Sequence, residues 1–348
     1  MSHVMSRRAF LEGTALAASA VLTSADLLGA DPPAGWAASP PAGFVPMAAP
    51  GKIVKVSKSD VLQPNKLFPK PEAARQMLER AMLEFTGETD LGKAFARFVH
   101  KDDKVAVKLN GIGAQTGASM GTNKELVIPI VEGLVASGVP ATSIVVYEQY
   151  TSFLNGTRVR EKDLPKGVKT VVHGNNAPAT AREIRVDRIR TKFVAPLTDA
   201  TAVISVDLIK DHAIQGYTGC MKNMTHGSII NPSAFHAAKS PQIALLYAQD
   251  VIKSRVRLHI TDGFKLIYDG GPLDSKPQCR VPHESVYVAT DPVAMDTIGW
   301  ALLDKWRQDK KLPTLAKAGR EPTYIHDAAN LGLGLGKLDD IAMREITL

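Results

Sequence analysis

A chain of 348 residues, 45% apolar and 22% charged, is long enough to bury a core without disulfides or metals. Its net charge of +7 is spread along the chain with no arginine-rich arm, and aromatics make up only 6%, which argues against a nucleic-acid stacking surface. Two cysteines, Cys220 and Cys279, with no CxxC pair, leave no set for an iron–sulfur cluster held by this chain alone.

The first segment reads as an address. SRRAFL (6–11) places Arg7-Arg8 before Phe10 and Leu11, and a mildly apolar run of small residues follows. The pattern resembles a twin-arginine (Tat) export signal, with Glu12 standing where a lysine is more usual. The run is too short and too weakly apolar to leave a stable membrane span. Residues 1–38 are therefore expected to be signal and linker. The mature chain is expected in the periplasm or cell envelope, with the Tat machinery as its first partner.

From residue 50 onward the pattern alternates. IVKVS (53–57) reads as a strand, and 71–85 as a helix with Pro71 in its first turn and apolar residues at helical spacing. KVAVKLN (104–110) is a strand entering a loop with four glycines, and 123–138 is a helix with Asn123 as N-cap. A strand at 143–148, a polar helix near 156–163, a strand at 168–172 and edge structure at 181–194 follow. AVISVDLIK (202–210) is an apolar strand, with helical turns at 217–228 and 240–253. Strands at 257–262 and 285–290, a helix at 291–306 and a strand at 341–346 close the pattern. Continuous apolar strands between helices imply an α/β domain over 50–346: a mostly parallel, mixed sheet covered by helices on both faces.

In such sheets ligands bind where strands end. Five expected strands end in polar residues: Lys108 and Asn110; Glu148 and Tyr150; Lys210, Asp211 and His212; Asp262; and Thr290 and Asp291. Asp291-Pro292 is also read, more simply, as a helix N-cap. The glycine loop 111–122 carries no dinucleotide or P-loop fingerprint. The densest stretch is GYTGCMKNMTHGS (216–228). If it is helical, Lys222 and His226 share a face roughly 6 Å apart. Gly219 would let the backbone approach a ligand closely. Two chemistries fit: lysines and Asn223 neutralising a small anion, with His212, His226 or Lys222 moving protons, or histidines with Asp211 holding a divalent metal. Nearby lysines would favour a Cys220 thiolate.

The segments VAVKLN, LVIPIVEGLVASGVPATSIVVYE, LIKDHAIQGYTGCMKNMTHGSIINP, HITDGF and VYVATDPVAMDTIGWALL occur in that order. They resemble the DUF-362 family, a domain of unknown function, over roughly residues 50 to 346. The resemblance implies that KDH…GxTGxxKN (Lys210 to Asn223) and TDPVAxD (Thr290 to Asp296) are signature segments. Many relatives carry a ferredoxin-like module whose cysteines this chain lacks. The leading expectation is an exported protein that binds a small anionic substrate or cofactor at the strand ends. The alternative is a non-catalytic accessory protein docking on an envelope redox partner.

Overall fold

In the computed structural model, the described residues are 36–115, 119–174 and 182–348. The expected signal and most of its linker, and part of the glycine loop, lie outside them. Eleven strands are described: β1 (Lys52–Ser57), β2 (Val105–Lys108), β3 (Ile144–Glu148), β4 (Lys169–Val172), β5 (Ile184–Val186), β6 (Ile189–Thr191), β7 (Ala202–His212), β8 (Gly216–Thr218), β9 (Val256–Ile267), β10 (Arg280–Ala289) and β11 (Ala342–Thr347). The helices are α1 (Pro71–Thr86), α2 (Leu91–Ala96), α3 (Lys124–Ala136), α4 (Thr151–Thr157), α5 (Ala195–Thr198), α6 (Cys220–His226), α7 (Gln242–Tyr247), α8 (Asp250–Lys253), α9 (Pro292–Asp309) and α10 (Tyr324–Asn330).

The main sheet runs β11-β1-β10-β9-β7-β2-β3-β4, with β8 folded back antiparallel on the end of β7. Strands β9, β7, β2, β3 and β4 are mutually parallel, and β10 runs against both its neighbours. The fold is therefore α/β, mostly parallel and mixed. One core face gathers Met77, Phe85, Phe95 and Ile130 from α1, α2 and α3. The other gathers Met221, Met224, Ile243, Val293 and Ile325 from α6, α7, α9 and α10. Strand β7 is buried along its whole length, the pattern of a strand covered on both faces.

Several elements depart from the pattern expected of the sequence. β9 continues past Asp262 through Gly263 to Ile267, because Leu266 and Lys265 pair with Val281 and Pro282 of β10. The polar helix near 156–163 does not form. α4 ends at Thr157, with Arg158 left-handed at φ 65°. Residues 184–191 form a separate hairpin, β5-β6, turned by Asp187 and Arg188, both at positive φ. Asn123 stands at the N-cap position of α3, but its side chain makes no cap and instead reaches Asp262. The described residues include no helix long and apolar enough to cross a membrane.

Candidate functional site

Parallel β2, β3 and β7 end on one edge of the sheet, and α6 lies across that edge. Between them is a cavity of about 220 Å³ lined by Lys108, Asn110, Glu148, Tyr150, Thr218, Lys222, Asn223, His226 and His236, among others. A larger cleft of about 320 Å³ lies over Val145, Val171 and Pro196, with largely aliphatic walls. The smaller cavity is the one in which charged and hydrogen-bonding groups converge, the usual mark of a binding site.

Three lysines surround this edge, each in a different electrostatic state. Lys108 is 1% exposed and ion-pairs with Glu148, whose two oxygens also accept the amides of Gly111 and Gln149 at 2.6 Å. Burial works against the Lys108 charge and Glu148 supports it. Lys210 lies just behind the cavity wall. Its ammonium donates to Asn110 Oδ1 at 2.7 Å and to the carbonyls of Ile112 and Met120, so it braces the glycine loop. Burial lowers its pKa to about 7.

Lys222 has neither kind of support. Among the described residues its one protein acceptor is His236 Nε2, 3.1 Å away. Burial alone lowers its pKa to about 7, with no carboxylate opposing the shift. His236 Nδ1 lies 2.8 Å from the Pro232 carbonyl and must donate to it, which leaves Nε2 as the acceptor for Lys222. The remaining two N–H bonds of the Lys222 ammonium are available to a ligand. Asn223 holds α6 to β7, donating to Ser205 Oγ at 3.1 Å.

The histidines do come together, though not as a metal set. His212 stacks on His236 with centroids 5.3 Å apart, and His226 meets His236 edge-on at 4.6 Å. His212 Nδ1 accepts the amides of Ile214 and Gln215. His226 Nε2 donates to the Phe235 carbonyl and its Nδ1 faces Thr225 Oγ1 at 3.2 Å. Burial and the Lys222 charge hold all three rings neutral, with His236 lowered to about 4. His226 therefore has both nitrogens committed, and His236 is the ring that faces Lys222.

Four of the expected site residues lie elsewhere. Asp211 points away from the cavity and accepts Arg320 Nη1 at 2.7 Å and the Gly271 amide at 3.2 Å, so it cannot join the histidines around a metal. Asp262 accepts the Asn123 amide at 2.7 Å and the Asn123 side chain at 2.9 Å, anchoring the start of α3; burial raises its pKa to about 6. Asp291 follows an antiparallel strand and so sits at the opposite edge. There it caps α9 through the Ala294 amide at 2.8 Å and also accepts the amides of Gly51 and Leu335. Gly219 begins α6 against Asp296, where a Cβ would fall 2.1 Å from Asp296 Oδ1. Cys220 reverses the thiolate expectation: it is fully buried beside Asp296, which together with burial pushes its pKa well up.

The sequence places Glu148 at a strand end and His236 within reach of Lys222 and His226, without showing what either pairs with. Their partners are 40 and 14 residues away in the chain. No curated protein matches this chain. A family model described as Domain of unknown function (DUF362) matches residues 105–301, from β2 into α9 and across every wall of the cavity. The chain belongs to the DUF362 family.

Proposed function

We propose that this protein binds a small anionic substrate or cofactor in the cavity between β2, β3, β7 and α6. The observation that carries the reading is Lys222: a buried ammonium facing a cavity whose one described carboxylate, Glu148, is committed to Lys108. Such a charge is costly unless something else supplies the counter-charge, and an anion in the cavity would do so. A volume of about 220 Å³ falls below the range of about 300–1,000 Å³ usual for drug-sized ligands, which favours a compact anion such as a phosphate or short carboxylate. Lys222 and His236 share a hydrogen bond, so a ligand that neutralises Lys222 can exchange a proton with this pair. The twin-arginine pattern at Arg7-Arg8 supports export to the periplasm or envelope, which fractionation of the expressing cell would check.

The test is calorimetric titration of the purified protein with inorganic phosphate and with short mono- and dicarboxylates. At least one should bind, and its affinity should fall as pH rises through about 7, where Lys222 loses its proton. Lys222→Met should abolish the binding. Undiminished affinity in that variant would remove the reading, and failure of the whole panel would favour the docking role over the ligand-binding one.

A further inference from the structure

At its first residue α6 enters a second polar cluster, separate from the cavity and sealed from solvent. Asp207 on β7, His259 on β9 and Cys220 on α6 are 1%, 1% and 0% exposed. One donor atom from each lies within 4.8 Å of the other two. Asp207 Oδ1 accepts Thr261 Oγ1 at 2.6 Å, while Oδ2 has no partner among the described residues. His259 Nε2 meets Tyr247 Oη at 3.0 Å, while Nδ1 has none. The two orphaned atoms are 3.9 Å apart, too far for a hydrogen bond to each other. Buried polar atoms without partners are rare in native proteins, and two sharing one small space call for a common explanation.

We propose that Asp207 Oδ2, His259 Nδ1 and Cys220 Sγ bind one divalent transition-metal ion, preferably zinc, which pins α6 to β7 and β9. Zinc takes sulfur, nitrogen and oxygen donors at about 2.0–2.3 Å, so its ligand atoms sit roughly 3.3–3.8 Å apart, and small shifts bring this trio to that spacing. The outer contacts suit the role. Tyr247 Oη can accept the Nε2–H of His259, leaving the Nδ1 lone pair for the ion, and Thr261 orients the Asp207 carboxylate.

Charge favours the same conclusion. Zinc entry would release the Cys220 thiol proton, and with it the proton of the Asp207 carboxyl, to solvent. One Zn²⁺, one thiolate and one carboxylate then sum to zero charge, the arrangement a dry interior tolerates. The thiol would give up its contacts to Asp296 Oδ1 and the Pro292 carbonyl, at 3.1 and 3.2 Å.

The experiment is metal analysis of the full chain expressed with added zinc, followed by unfolding in chelator and refolding with cobalt(II). The expected result is one zinc per chain. After exchange, the cobalt protein should show a thiolate-to-cobalt charge-transfer band that persists in Cys279→Ser and disappears in Cys220→Ser. His259→Ala and Asp207→Asn should lose the metal and melt at lower temperature, with a melting point that no longer responds to chelator. If those variants fail to fold, the wild-type spectrum still decides the matter. Metal-free protein with no cobalt band, a band that vanishes in Cys279→Ser, or zinc retained in Cys220→Ser would each overturn the proposal.

Discussion

Lys222→Met should make the protein more stable near neutral pH while removing ligand binding. The native lysine has a pKa near 7, against an ordinary value of 10.5. Between those values the unfolded chain binds more protons than the native one, so this group's contribution to wild-type stability rises with pH across the window. At about pH 6.5 holding the charge inside costs roughly 4–5 kcal/mol, and by about pH 9.5 the native lysine is neutral and the cost is roughly 1 kcal/mol. Methionine has a similar length and no charge. It gives up the hydrogen bond to His236 Nε2, which costs about 1–3 kcal/mol at either pH. The variant should therefore gain roughly 2 kcal/mol at about pH 6.5 and gain little or lose slightly at about pH 9.5. Lys210, whose own pKa is lowered partly by Lys222, adds to the change with the same sign. Urea unfolding of both proteins at both pH values measures it. The informative quantity is the change in the stability difference, expected to be about 3 kcal/mol, because packing losses cancel from it. A difference that stays constant between the two pH values would refute a buried, uncompensated charge at Lys222.

Glu148→Gln removes the counter-charge of a 1% exposed lysine and should destabilise the fold by about 3–5 kcal/mol. The double variant with Lys108→Met should recover most of that loss, and thermal melts of the three proteins would show it. Asp291→Ala deprives three backbone amides of their acceptor and should cost about 1–3 kcal/mol. Its phosphate or carboxylate affinity in calorimetry should match the wild type, because Asp291 stands at the opposite edge of the sheet from the cavity.

Local signals carried much of this architecture. The apolar runs of β2, β3 and β7 and the helical spacing of Met77, Met82 and Phe85 are readable without knowing what they pack against. The placement of Lys222, Asn223 and His226 together followed from helical periodicity in one short segment. Strand direction did not follow. The apolar run SVYVA of β10 carries no sign of its direction, and only its pairing with β9 and β1 shows that it runs the other way. Counting Asp291 with the other strand ends failed for that reason. Long-range pairing was equally hidden: Glu148 and Lys108 are 40 residues apart and meet because β2 and β3 are adjacent. Asp207 and His259 lie inside AVISVDLIK and RLHITD, mid-strand rather than at the strand ends where a ligand site is looked for. Their relation emerges only when β7 and β9 are laid side by side, with Ser205 beside His259 and Asp207 beside Thr261.

The segments 210–223 and 290–296 form one physical unit. α6 has seven residues, far too few to be helical on its own, and it begins at Gly219 with no side-chain cap of its own. Its first amides need an acceptor, and Asp296 supplies it from α9: Oδ1 accepts the Cys220 amide at 2.7 Å and Oδ2 the Met221 amide at 3.3 Å. Burial raises the Asp296 pKa to about 7, and those amides, with the Tyr324 hydroxyl, act against the rise. Contact this close excludes a side chain at position 219, which accounts for glycine there. Asp291 caps the start of α9 through the Ala294 amide, while the buried side chains of Val293, Met295 and Leu303 seat the helix and so place Asp296 against α6. TDPVAxD thus acts on the cavity through α6, whose later residues Lys222 and Asn223 face it, even though neither of its aspartates lines the cavity. A change at Asp296 should therefore disturb Lys222 and the ligand it is proposed to hold, whereas Asp291, one step further back, caps the start of α9 and registers as stability.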